Sequence, residues 1–108
     1  MKVSKELYEA VYNKSLKDLG LDSSDLKNID FNAFFFKCKE WASTQGYELR
    51  SGRDIDVKEE LCYFCEYKQE RQLDYTDGDY FLADNELDSV MKTCEWVLKE
   101  INEKQLQH

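Results

Sequence analysis

Phe31-Asn32-Ala33-Phe34-Phe35-Phe36-Lys37-Cys38-Lys39-Glu40-Trp41-Ala42 and Leu87-Asp88-Ser89-Val90-Met91-Lys92-Thr93-Cys94-Glu95-Trp96-Val97-Leu98-Lys99-Glu100-Ile101 are the stretches that decide the fold. In the first, Phe31, Phe34, Phe35, Cys38, Trp41 and Ala42 recur at i, i+3, i+4, i+7 spacing. In the second, Leu87, Val90, Met91, Cys94, Val97, Leu98 and Ile101 do the same. That period lays one apolar stripe along a helix. Cys38 and Cys94 fall inside the stripes and read as core filler.

Working outward, Gly46 ends the first of these helices, which begins near Asp30; glycine is the usual residue just past a helix C-terminus. The second runs from about Asn85 to Lys104, with Asp84 or Asn85 as its cap. Glu86 and Asp88 favour its positive N-terminal end. An earlier helix is expected from Ser4, as N-cap, to about Asp18, with Leu7 and Val11 on its apolar side and Tyr8, Tyr12 and Leu16 as candidates to extend it. Gly20 to Asn28 is rich in Asp, Ser and Gly and reads as a loop or a short helical turn.

Between Gly46 and Asp84 the period changes from that of a helix to that of a strand. Tyr47 to Ser51 reads as one strand. Leu61 to Lys68 is the clearest, with Leu61, Tyr63, Cys65 and Tyr67 alternating onto one face. Tyr75-Thr76-Asp77-Gly78-Asp79-Tyr80 carries Asp-Gly between aromatic flanks, a hairpin signal, and Phe81 and Leu82 continue the returning strand. Short connections make antiparallel pairs. The expectation is an α+β two-layer sandwich: an antiparallel meander of three to four strands with helices on one face, in the order ααβββ(β)α.

Phe36 and Trp96 break the stripes, each about 200° around its helix from the cysteine two residues away. Either the first helix lies over them as a partial third layer, or they are exposed anchors for a partner or a homodimer.

At 108 residues, 42% of them hydrophobic and with six Phe and seven Tyr, the chain has room and apolar content for one domain, 1–108. It contains no proline and no low-complexity tract that would mark a boundary. No apolar run approaches the ~20 residues of a membrane span, and Met-Lys-Val-Ser-Lys-Glu does not read as a secretory signal. A cytoplasmic location with reduced thiols is expected, and no membrane partner.

Fifteen basic residues against 23 acidic ones leave a net charge of -8, which opposes direct contact with nucleic acid. The acids gather in two groups. Asp54, Asp56, Glu59 and Glu60 form one; Asp74, Asp77, Asp79, Asp84, Glu86 and Asp88 form the other. As solvated surface they keep a small protein soluble; as a face they suit a basic partner.

Little in the chain points to chemistry. Cys62-Tyr63-Phe64-Cys65 matches C-x-x-C, and with Cys38 and Cys94 it spells a four-cysteine zinc set. The pair lies in a strand-like run, however, where positions three apart face opposite sides. Thioredoxin-like chemistry needs the motif at a helix N-terminus. Asp74, Asp77, Gly78 and Asp79 lack the alternate-oxygen spacing of a calcium loop. The single histidine is His108, so no nucleophile has a histidine base within the fold. No Gly-rich phosphate loop is present. No catalytic residue, cofactor or metal is therefore expected.

Tyr80 to Leu98, with Lys37-Cys38-Lys39-Glu40-Trp41-Ala42 and Gly46-Tyr47, resembles a pattern in small uncharacterised phage and prophage proteins. There a strand ending in an acidic turn leads into a helix of the form E-L-x-x-V-x-x-x-C-E-W-x-L. The resemblance covers Phe34 to Gly52 and Tyr80 to Ile101, and it implies a phage or mobile-element origin. It carries no catalytic residue to transfer.

The expected function is a small, acidic, non-catalytic protein-binding module that inhibits a larger host protein with a basic surface, such as a defence or nucleic-acid enzyme. The analogy is to anti-CRISPR and anti-restriction proteins, in size and charge. Its expected contact residues are Asp54, Asp56, Glu59, Glu60, Asp74, Asp77, Asp79 and Trp96. Two alternatives stand beside it: a homodimeric structural or regulatory protein using exposed aromatics, and a cysteine-based metal-binding protein. The chain itself is expected to be a monomer or a homodimer.

Overall fold

The first helix, α1, spans Lys5–Tyr12. Ser4 caps it, its side chain accepting from the Leu7 amide at 3.1 Å. The helix stops six residues short of the expected Asp18. Asn13 turns left-handed at φ 54°, and its amide closes onto the Ala10 carbonyl. Leu16 is nevertheless buried, its amide held by the Glu9 carboxylate. Its apolar character reflected core membership and not helix. The computed structural model from which this description comes covers residues 3–55, 61–69 and 81–106.

A short 3-10 turn, Ser23–Lys27, follows under an Asp22 capping box and buries Leu26. Helix α2 spans Phe31–Thr44, capped by Asp30, with Gly46 beyond it at φ 90° as expected for a helix stop. Strand β1 spans Tyr47–Ile55, β2 Leu61–Gln69 and β3 Phe81–Ala83. Helix α3 spans Glu86–Leu106. The Asn85 side chain caps it, accepting from the Asp88 amide at 2.8 Å, which settles the choice between Asp84 and Asn85.

The strands form an antiparallel sheet in the order β1-β2-β3. The fold is α+β with the order ααβββα. β1 runs four residues past the expected Ser51, through Gly52, which strands ordinarily disfavour. The Phe64 ring on the paired strand comes within 3.4 Å of where a Gly52 side chain would begin, so the ring fills that space. The expected hairpin at Tyr75–Tyr80 lies outside the described residues.

α2 and α3 pack together on the sheet, and α1 packs on both helices. The core runs through Leu7, Phe34, Cys38, Cys65, Val90, Cys94 and Val97, all solvent-inaccessible. Each such aliphatic or aromatic side chain contributes ~1.5–3 kcal/mol by leaving water. Cys38 and Cys94 are core, as their stripes predicted, and the Cys94 thiol donates to the Cys38 carbonyl at 3.6 Å.

The placement of the two stripe-breaking aromatics differs from the reading in which the first helix covers them. Trp96 is covered by the sheet. Its ring stacks on Tyr67 at 4.5 Å and meets Tyr47 edge-on at 5.7 Å and Phe81 at 6.2 Å. α3 buries a second face: Glu86 accepts from Ser51, Ser89 and Thr93 are fully buried, and Trp96 follows at the same spacing. The small Ser and Thr let the helix sit close to the strands. Phe36, by contrast, is 67% exposed, edge-on to Phe35. α1 instead places Tyr8 and Tyr12 against Phe34, with ring centroids 5.3 and 6.3 Å away.

Candidate acidic surface

The end of the sheet where β1 stops and β2 begins holds the described part of the acidic surface. Asp54 pairs with Cys62 across the β1–β2 ladder, and the Cys62 thiol donates to the Asp54 main-chain carbonyl at 3.6 Å. Cys62 in turn lines a shallow depression of about 300 Å³ with Leu82, Ala83, Asp84, Asp88 and Lys92. Asp54 and Asp84 are exposed. Asp88 accepts from the Asn85 amide side chain at 2.9 Å, and Lys92 donates to the Leu82 carbonyl at 2.8 Å. The β2–β3 register, in which Tyr63 faces Ala83, carries Asp84 to this same end.

Of the sequence-predicted contact residues, only Asp54 and Trp96 lie among the described residues. Asp56, Glu59 and Glu60 fall in 56–60, which joins Ile55 to Leu61. Asp74, Asp77 and Asp79 fall in 70–80, which joins Gln69 to Phe81. The first stretch is anchored at the Asp54 end of β2, and the second leaves from the opposite end. Trp96 is half-buried in the aromatic cluster and supports the sheet. Asp84 and Asp88 were visible in the sequence as members of the second acidic group. Only strand register could reveal that they sit with Asp54.

The cysteines divide by face. Cys65 is fully buried towards α3, whereas Cys62, three residues away, lies on the other side. Burial pushes the Cys65 thiol up to about 11, against a smaller opposing effect of the Thr93 hydroxyl. A hydrogen bond shared with Cys38, reinforced by burial, raises the Cys94 thiol above the ordinary range. Neutral thiols of this kind are poor nucleophiles and poor metal ligands. Among the described residues, no three His, Cys, Asp or Glu side chains converge as a metal set.

Among the described residues, the outer face of the sheet carries two charge pairs. Glu66 is buried and bridged by the Arg50 guanidinium, while Glu48 and Lys68 pair beside it at 3.2 Å. Among the described residues no helix is long and apolar enough to cross a membrane. The chain matches no protein-family model, no curated protein and no solved structure.

Proposed function

We propose that this chain is a small acidic module that binds a basic surface of a larger protein and blocks it. The resemblance to phage and prophage proteins suggests a host defence or nucleic-acid enzyme as the target, met in the host cytoplasm. The observation that carries the reading is the grouping of Asp54, Asp84 and Asp88 at one end of the sheet. Asp56, Glu59 and Glu60 follow Asp54 directly in the chain. A net charge of -8 steers such a face towards a cationic groove, and carboxylates there stand in for phosphates. The reading is non-catalytic: it needs no nucleophile, and the buried thiols serve packing.

Reversing Asp84, at that end of the sheet, and Asp56, two residues beyond Asp54 in the chain, to Lys tests it. Association with the target should slow by at least ~10-fold at low salt, with dissociation little changed, since rim charges act mainly on the on-rate. An unchanged rate would count against the acidic surface. A second reading rests on Phe36, which is 67% exposed beside Phe35. Aromatic docking there would be shallow in its salt dependence and lost in Phe36→Ser.

A further inference from the structure

β1 is an edge strand. It pairs with β2 over its full nine residues, and among the described residues no strand pairs with its other side. The opposite edge, β3, is three residues long and leads within three residues into α3. Long edges are templates for another strand. Most proteins blunt them with charges that repel a wrong partner, so the charges on β1 decide what it accepts.

Arg50 and Asp54 lie on the outer face of β1, two strand periods apart, with Gly52 midway between them. Consider a second copy pairing antiparallel with β1 so that both sheets keep their helices on one side. Like faces then meet, and the paired residue numbers add to an even number. Three such registers overlap seven or more residues of the strand. Centred on Arg50, the pairing sets Arg50 against Arg50 of the other copy. Centred on Ser51, it sets Glu48 against Asp54 twice. Centred on Gly52, it sets Arg50 against Asp54 twice, and Ser51 against Arg53. Directly opposed like charges destabilise a sheet and opposed unlike charges stabilise it. Only the Gly52-centred register is free of the first and has the second. It also puts the residue with no side chain on the two-fold axis.

We infer that two copies of this chain associate through β1, in the register centred on Gly52, to form a continuous six-stranded sheet. Arg50 already bridges Glu66 within its own sheet, its side chain is 59% exposed, and a guanidinium carries five donors for further contacts. Each copy carries a net charge of -8, which opposes association, so the dimer is weak and concentration-dependent. It does not depend on the acidic-surface reading, whose test alters Asp56 and Asp84 and leaves β1 intact.

Sedimentation velocity over a concentration series reads the assembly. The wild-type chain should pass from monomer to dimer. Asp54→Arg, which places like charges at both sites, should weaken the dimer by at least ~10-fold. Asp54→Asn should fall between the two. The Cys62 thiol bonds the Asp54 main-chain carbonyl, so neither change removes that contact. Mixing Asp54→Arg with Arg50→Asp restores both opposite-charge pairs and should restore the dimer, while each variant alone stays monomeric. Because Arg50→Asp also faces Glu66, amide exchange supplies a second readout. Protection over residues 49–55 should rise with wild-type concentration and stay constant in Asp54→Arg. A wild-type chain that remains monomeric throughout would overturn the inference. So would a dimer indifferent to Asp54→Arg.

Discussion

Truncating Trp96 to Ala should destabilise the fold by about 2–4 kcal/mol. The indole stacks on Tyr67 at 4.5 Å and 27°, meets Tyr47 at 5.7 Å and 87°, and touches Phe81 at 6.2 Å. Removing a fully buried large aromatic costs ~3–5 kcal/mol. Trp96 keeps part of its surface in water, which lowers the figure. Each aromatic pair adds ~0.5–1.5 kcal/mol beyond area, which supports it. At a urea slope of ~1.5 kcal/mol/M, the midpoint should fall by roughly 1.3–2.7 M. Far-ultraviolet circular dichroism is the right probe, since the substitution removes one of two tryptophans. A Trp96→Ala/Tyr67→Ala cycle should show a coupling of ~0.5–1.5 kcal/mol. A loss below ~1 kcal/mol, with no coupling to Tyr67, would refute the placement of Trp96 on the sheet. It would return the residue to the role of an exposed anchor.

Two further outcomes follow from the same packing. Leu87→Ala and Met91→Ala should each cost ~2–5 kcal/mol in chemical denaturation, while exposed Lys99→Ala should cost under about 0.5; equal small effects would refute the α3 register. The raised thiols give a pH dependence. A Cys65 held protonated up to about 11 contributes stability that is complete below the ordinary thiol range and lost as pH rises through about 11. Cys94 acts in the same direction. The unfolding midpoint should therefore decline across that alkaline window, less steeply in Cys65→Ala, and an identical slope in the variant would exclude the buried thiol as a cause.

The helical part of this fold was legible because α2 and α3 bury continuous apolar stripes. The part that misled was polar. Ser89 and Thr93 fall outside the apolar stripe of α3, yet both are fully buried. A helix held between a sheet and other helices must bury two faces, and small hydroxyl residues suit the closer one. Each hydroxyl is satisfied within its own helix, Ser89 by the Glu86 carbonyl at 2.6 Å and Thr93 by the Ser89 carbonyl at 2.9 Å. Periodicity alone does not register that device, so Trp96 looked stranded. The end of α1 was missed for a related reason: Leu16 continued the apolar pattern after Asn13 had broken the helix. In the acidic surface, the carboxylates were visible as composition. Their grouping depends on strand register, which sequence separation hides, since Asp54 and Asp84 are thirty residues apart and meet through β2.

The most direct test of the acidic-module reading is affinity capture from host lysate with wild-type chain and Asp56→Lys/Asp84→Lys chain in parallel, at low and at high salt. The account predicts a protein retained by the wild type at low salt, released as salt shortens the screening length from ~30 Å to ~3 Å, and not retained by the reversed chain. A partner held equally by both chains, and undisturbed by salt, would contradict it.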